Sequence, residues 1–86
     1  MGNYRVALTS SAERELRGLP AQIVARIWPR IEGLLADPRP PGCKKLRTGD
    51  RQWRIRVGDY RIVYEIDDKT KAVDVTRVAH RREVYD

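Results

Sequence analysis

A single cysteine, Cys43, leaves no partner for an internal disulfide in this 86-residue chain, so its fold cannot rest on a covalent staple. That economy suits a reducing compartment. There is no long apolar run, and Arg5 follows after only four residues. Neither a signal peptide nor a membrane span is therefore expected, and the chain reads as cytoplasmic with no membrane partner. Groupings that carry chemistry are equally scarce. No His/Cys set has metal-ligand spacing, no glycine-rich loop could cradle a phosphate, and no paired carboxylates stand in a recognisable frame, so no metal and no cofactor are expected. Asp67 and Asp68 fall in a turn and read as solvated. Cys43 lies in a proline-rich loop without an evident base beside it, which argues against a thiol enzyme.

What is present is positive charge, a net +6 that is unevenly placed. Residues 1–43 hold six Lys/Arg against four Asp/Glu. Lys44 to Tyr64 holds seven (Lys44, Lys45, Arg47, Arg51, Arg54, Arg56 and Arg61) against Asp50 and Asp59. A clustered basic surface with pI near 10 favours a polyanionic partner, nucleic acid before an acidic protein or an anionic membrane, whereas a merely solubilising face needs no partner at all.

The length allows one domain, 1–86, of two layers around a small core. Tyr4 to Leu8 alternates weakly and predicts a first strand. Thr9-Ser10-Ser11 offers an N-cap, with Ser10 and Glu13 at capping-box spacing, for a short helix that runs to about Arg17 and ends at Gly18. Pro20 suits the start of a second helix, whose Ile23, Ile27, Ile31 and Leu34/Leu35 make one apolar stripe. Pro29 interrupts that pattern and predicts a kink, with Trp28 as a wedge in it. The segment from Asp37 to Gly42, rich in proline, is a stiff connection to the basic half. Lys44-Lys45-Leu46 is a candidate short strand. Ala72 to Ala79 is a β-branched strand expected to lie antiparallel to Tyr60–Ile66; Val73/Val75 and Val78 fall on opposite parities, so its facing stays open.

The basic half is organised around residues 53–64, which read as a β-hairpin about Gly58-Asp59, with apolar and polar residues alternating on either side. Pairing Val57 with Tyr60 sets Arg56 opposite Arg61, Ile55 opposite Ile62, Arg54 opposite Val63 and Trp53 opposite Tyr64. One face is then apolar and the other carries Arg54, Arg56 and Arg61. Like charges directly across a ladder destabilise it, which points to an anion completing the arginine face. The element order β-α-α-β-β-β predicts an α+β fold, with two helices packed on one face of a small, mostly antiparallel sheet. The helices take the apolar hairpin face, leaving the arginine face open and His80 near it at the end of the last strand.

An RNA strand on such a face meets groups suited to its cleavage by attack of a 2′-hydroxyl on the adjacent phosphate. Guanidinium forks bind phosphate oxygens bidentately and stay protonated, and fixed donors aimed at developing charge typically contribute about 10²–10³-fold each. Lys44, Lys45, Arg47 and Arg51 are candidate RNA-binding cations beside them. Arginine does not serve as an ordinary base. Histidine is the side chain that ordinarily titrates near neutrality, and His80 is the only one present; Tyr85 offers stacking or a share in proton transfer.

Residues 53–66, followed by a β-branched strand and the tail His80-Arg81-Arg82-Glu83-Val84-Tyr85, resemble the RelE/ParE superfamily of bacterial and archaeal toxins, most closely its RelE branch. The resemblance extends to Leu19-Pro20, the Asp37–Gly42 link and Lys44-Lys45-Leu46. It implies a RelE-like fold and a toxin of a type II toxin–antitoxin system, which enters the ribosomal A site, cuts mRNA through its 2′-OH without metal, and is held inactive by a cognate antitoxin. The implied partners are the antitoxin, the ribosome and its mRNA, and operator DNA reached through the antitoxin. By position, the catalytic set is Arg54, Arg56, Arg61, His80 or Arg81, and Tyr85. Some relatives carry lysine at the positions of Arg54 and Arg56, which leaves the general base open between His80, Tyr85 and catalysis by positioning and charge alone. A ParE-like poison of DNA gyrase with no chemistry of its own, or a basic nucleic-acid-binding module, would not need this coincidence of residues.

Overall fold

Thr9 turns the chain from the first strand, β1 (Arg5–Leu8), into the first helix, α1 (Ser10–Arg17): its backbone is extended and its hydroxyl accepts the N–H of Ala12. The cap is thus Thr9, one residue ahead of the predicted Ser10, which lies inside the helix and makes no capping box. Both residues offer a hydroxyl, and only Thr9 stands where the chain is still extended. The computed structural model describes residues 3–47, 51–80 and 82. The remaining elements are α2 (Ala21–Gly33), β2 (Lys44–Lys45), β3 (Gln52–Val57), β4 (Tyr60–Asp67) and β5 (Ala72–His80).

The five strands form one sheet in the order β1-β5-β4-β3-β2, antiparallel except for the β1–β5 pair. Both helices cover one face. Ala12 and Leu16 of α1, with Ile27 and Ile31 of α2 and Leu34 just beyond it, pack on Ile55, Ile62, Tyr64, Val73 and Val75. The predicted layer order and hairpin facing both hold.

Along α2 the apolar stripe continues past Pro29 as expected, with Ile27 before it and Ile31 after it both buried, whereas the expected wedge at Trp28 does not hold. The helix continues through Pro29 to Gly33, and Pro29 and Ala25 both lie on the exposed side, where water can take the carbonyl that the proline leaves without a donor. Trp28 is no buried wedge, since 41% of its surface is exposed. Leu34 is fully buried whereas its neighbour Leu35 is exposed, so only the first of the pair belongs to the stripe. Among the described residues no helix is long and apolar enough to cross a membrane.

A one-residue irregularity in β5 settles the facing that alternation left open. Tyr64 pairs with Val75 and Val63 with Arg77, so Thr76 is the extra residue and parity reverses there. Val73 and Val75 before it and Val78 after it all reach the helix-side core. Because β1 ends opposite Val75, the edge of β5 beyond that point has no strand beside it among the described residues, and α1 supplies partners there. The Glu15 carboxylate accepts the Val78 N–H at 2.9 Å through one oxygen and the Arg77 guanidinium at 2.9 Å through the other. The strand end is thereby tied down without a sixth strand.

The proline-rich link is pinned just as specifically. Pro38 is buried and its carbonyl accepts the Tyr64 hydroxyl at 2.7 Å; burial raises the phenol's pKa well above the ordinary tyrosine range.

Candidate nucleic-acid interface

Alternation along β3 and β4 sends Arg54, Arg56 and Arg61 to the sheet face away from the helices, in the expected register: Arg56 opposite Arg61 and Arg54 opposite Val63. Gly58, at φ 61°, allows the tight turn that fixes this register, and the Arg26 guanidinium of α2 lies against it where a side chain would otherwise begin.

The arginine face is not uniformly open. Leu46, Val63 and Ala79 form a small apolar cluster on it, and Arg54 beside them is only 4% exposed. Exposure therefore grows toward the hairpin turn, where Arg61 is half-buried and Arg56 is exposed. This corrects the expectation of a bare basic surface. The Leu46 N–H bonds to the Gln52 carbonyl at 2.8 Å, which folds the chain after β2 back over this end of the face. Arg54 and Arg61 both have further interactions. They are held groups, as charge-stabilising donors need to be.

The other basic candidates divide between the faces. Lys44 stands opposite Arg54 and so extends the arginine face, whereas Lys45 stands opposite Trp53 on the helix side. Arg51 also turns to that side, to Asp67 at 3.3 Å. Arg47 is exposed in the turn after β2.

His80 is not brought to the arginines. It pairs with Tyr60 across β4–β5, on the helix side, and its ring meets the Tyr60 ring edge-on with centroids 5.5 Å apart and planes at 80°. The irregularity at Thr76 is the reason: unbroken alternation would have turned His80 to the arginine face. Its Nδ1 accepts the Arg82 backbone N–H at 3.3 Å. Arg81 and Tyr85 lie outside the described residues.

Sequence reasoning missed a second constellation, at the opposite end of the hairpin from its turn. Arg39, from the proline-rich link, lies over Trp53 with its Cζ 5.0 Å from the ring centroid, and grips both oxygens of Asp68, at 2.8 and 3.2 Å. The Tyr4 hydroxyl donates to the same carboxylate at 2.7 Å. Asp68, expected to be merely solvated, is thus a shared acceptor, and its hydrogen bonds from Arg39 and then Tyr4 hold its pKa at about 2. Asp67 caps the following turn through the N–H groups of Lys69 and Thr70. The signal was slight: an arginine between prolines and an aspartate pair in a turn, 29 residues apart.

Comparison with known proteins agrees with this architecture. The family model described as ParE toxin of type II toxin–antitoxin system, parDE, matches residues 6–85. Toxin RelE of Mycobacterium tuberculosis is 39% identical over 84 residues, spanning 95% of this chain and 86% of that protein. Toxin RelG of the same organism is 35% identical over 83 residues, spanning 95% of each chain. A solved structure of the RelBE2 toxin–antitoxin complex from M. tuberculosis contains a chain that superposes with a TM-score of 0.80 at 34% identity, covering 92% of this chain and 99% of that one. By these matches over nearly its whole length, this chain belongs to the ParE toxin family of type II toxin–antitoxin systems and to the RelE branch of that superfamily.

Proposed function

We propose that this toxin is a ribosome-dependent endoribonuclease that cuts mRNA in the A site by attack of a 2′-hydroxyl on the adjacent phosphate. The observation that carries the reading is the cross-strand pair Arg56/Arg61 on the face away from the helices, a repulsion that a bound phosphate would relieve. Arg54 and Lys44 extend the same face.

In this account the guanidiniums hold the scissile phosphate and neutralise its oxygens as negative charge builds, each contributing about 10²–10³-fold. That charge stabilisation is the task a metal would otherwise perform, and the reaction proceeds without one. With His80 turned toward Tyr60 on the helix side, proton transfer falls to Tyr85 of the C-terminal segment, with Arg81 as a further positive charge, acting on an RNA held in line.

A cognate antitoxin restrains the toxin by covering the basic face or displacing the Tyr85 segment, in keeping with the relative solved as a toxin–antitoxin complex. The pair reaches operator DNA through the antitoxin, and the toxin acts in the cytoplasm, where the translating ribosomes are. A single domain, 1–86, carries these activities.

The test is to map RNA ends after adding purified toxin to translating ribosomes, in parallel with a DNA gyrase supercoiling assay. Cuts within the A-site codon that require ribosomes and persist in EDTA-treated toxin support the reading. Gyrase inhibition with intact mRNA overturns it in favour of a gyrase poison.

A further inference from the structure

The Arg39–Trp53 constellation borders a cleft of ≈ 390 Å³ that is also lined by Lys45, Arg51, Asp67, Asp68 and Lys69, in which Arg51 answers Asp67 and Arg39 answers Asp68. It lies on the helix side of the sheet, since Lys45 and Trp53 share a face, and is separate from Arg56 and Arg61. Its volume is within the range of small-ligand sites, about 300–1,000 Å³.

We propose that this cleft is a second RNA subsite, taking one unpaired nucleotide of a single-stranded RNA with its base on the Arg39 plane and its phosphate against Lys45 and Lys69. The inference rests on the RNA-cleaving reading above and adds a place where the strand is held away from the bond that is cut.

Three observations carry it. Arg39 is immobilised by a two-oxygen grip on Asp68 and by the Trp53 ring, and Asp68 is itself fixed by Tyr4; yet the Arg39 side chain remains 39% exposed. A planar cation held this way is a ready stacking surface for a nucleobase, whereas exposed ion pairs add little to stability. Lys45 and Lys69 bring two further cations that no carboxylate among the described residues answers within ion-pair distance. Finally, β2 is the edge of the sheet, and its two lysines project to opposite faces, Lys44 beside Arg54 and Lys45 beside Trp53. A strand bent around that edge meets cations from the arginine face to the cleft.

The chain has two tryptophans, so Trp28→Phe leaves Trp53 as the only indole reporter. In a Trp28→Phe/Arg61→Ala protein without ribosomes, titration with a six-nucleotide single-stranded RNA should quench Trp53 fluorescence saturably, at least tenfold tighter than AMP. Lys45→Ala with Lys69→Ala should lower the slope of log affinity against log salt by about 0.7, the value for one lost phosphate contact on a single strand. Arg39→Lys, which keeps the charge but not the plane, should weaken RNA binding by roughly tenfold. No saturable quenching, AMP or a hexaglutamate peptide binding as tightly as the RNA, or an unchanged salt slope in the lysine variant overturns the proposal. Because this reporter works in a variant already lacking Arg61, failure of the subsite and failure of the cleavage reading are read separately.

Discussion

Arg56 stands directly opposite Arg61 across the antiparallel β3–β4 ladder. Two like charges so placed weaken the hairpin, whereas opposite charges would contribute about 0.2–1 kcal/mol. Arg56→Glu is therefore expected to raise the melting temperature by up to several degrees while abolishing toxicity. Thermal unfolding followed by circular dichroism checks the first half and growth on induction the second; a variant less stable than the parent contradicts the idea that the pair is held for function against folding.

The Glu15 clamp should be worth more than its position on a surface helix suggests. Glu15→Ala leaves the Val78 N–H without its acceptor and removes the Arg77 ion pair, an expected loss of about 1–3 kcal/mol. Amide hydrogen exchange would show it locally, with Val78 exchanging much faster than Ile62 in the core. Unaltered protection at Val78 would mean that the strand end is held by something else.

Tyr64→Phe removes the donor to the buried Pro38 carbonyl and is expected to cost about 1–3 kcal/mol, a fall in melting temperature of roughly 4–8 °C per kcal/mol for a domain of this size. Chemical denaturation should give a lower midpoint with an unchanged slope. A loss under about 0.5 kcal/mol would show that the link is seated by packing alone, the low end of a single hydrogen bond.

Asp68 links stability to acid. Its pKa is lowered from 3.8 to about 2 in the fold, so its contribution is complete above about 4 and is lost as pH falls through about 2. Asp68→Asn should flatten the stability profile across that window, as read from urea midpoints at pH 5, 4, 3 and 2. An identical acid slope in the variant and the parent contradicts the assignment of Asp68 as the linked group.

The hairpin was legible because a period of two and a Gly-Asp turn leave one register that sets Trp53, Ile55, Ile62 and Tyr64 on one face together. The helices were legible from the spacing of Leu16, Ile27 and Ile31. What escaped has one main cause. A single extra residue at Thr76 reverses the parity of β5, bringing Val78 into the core and turning His80 away from the arginines, and no local pattern announces it. The burial of Arg54 and the role of Arg39 depend on segments folding back from a distance, which periodicity cannot reveal.

The central claim is that the arginine face stabilises charge on a phosphate undergoing cleavage, and the most direct measurement is the single-turnover rate of A-site mRNA cutting by Arg61→Ala on programmed ribosomes. The predicted result is a rate about 10²–10³-fold below the parent, with ribosome binding and the circular dichroism spectrum little changed. Cleavage at the parental rate by a folded Arg61→Ala protein would contradict the account.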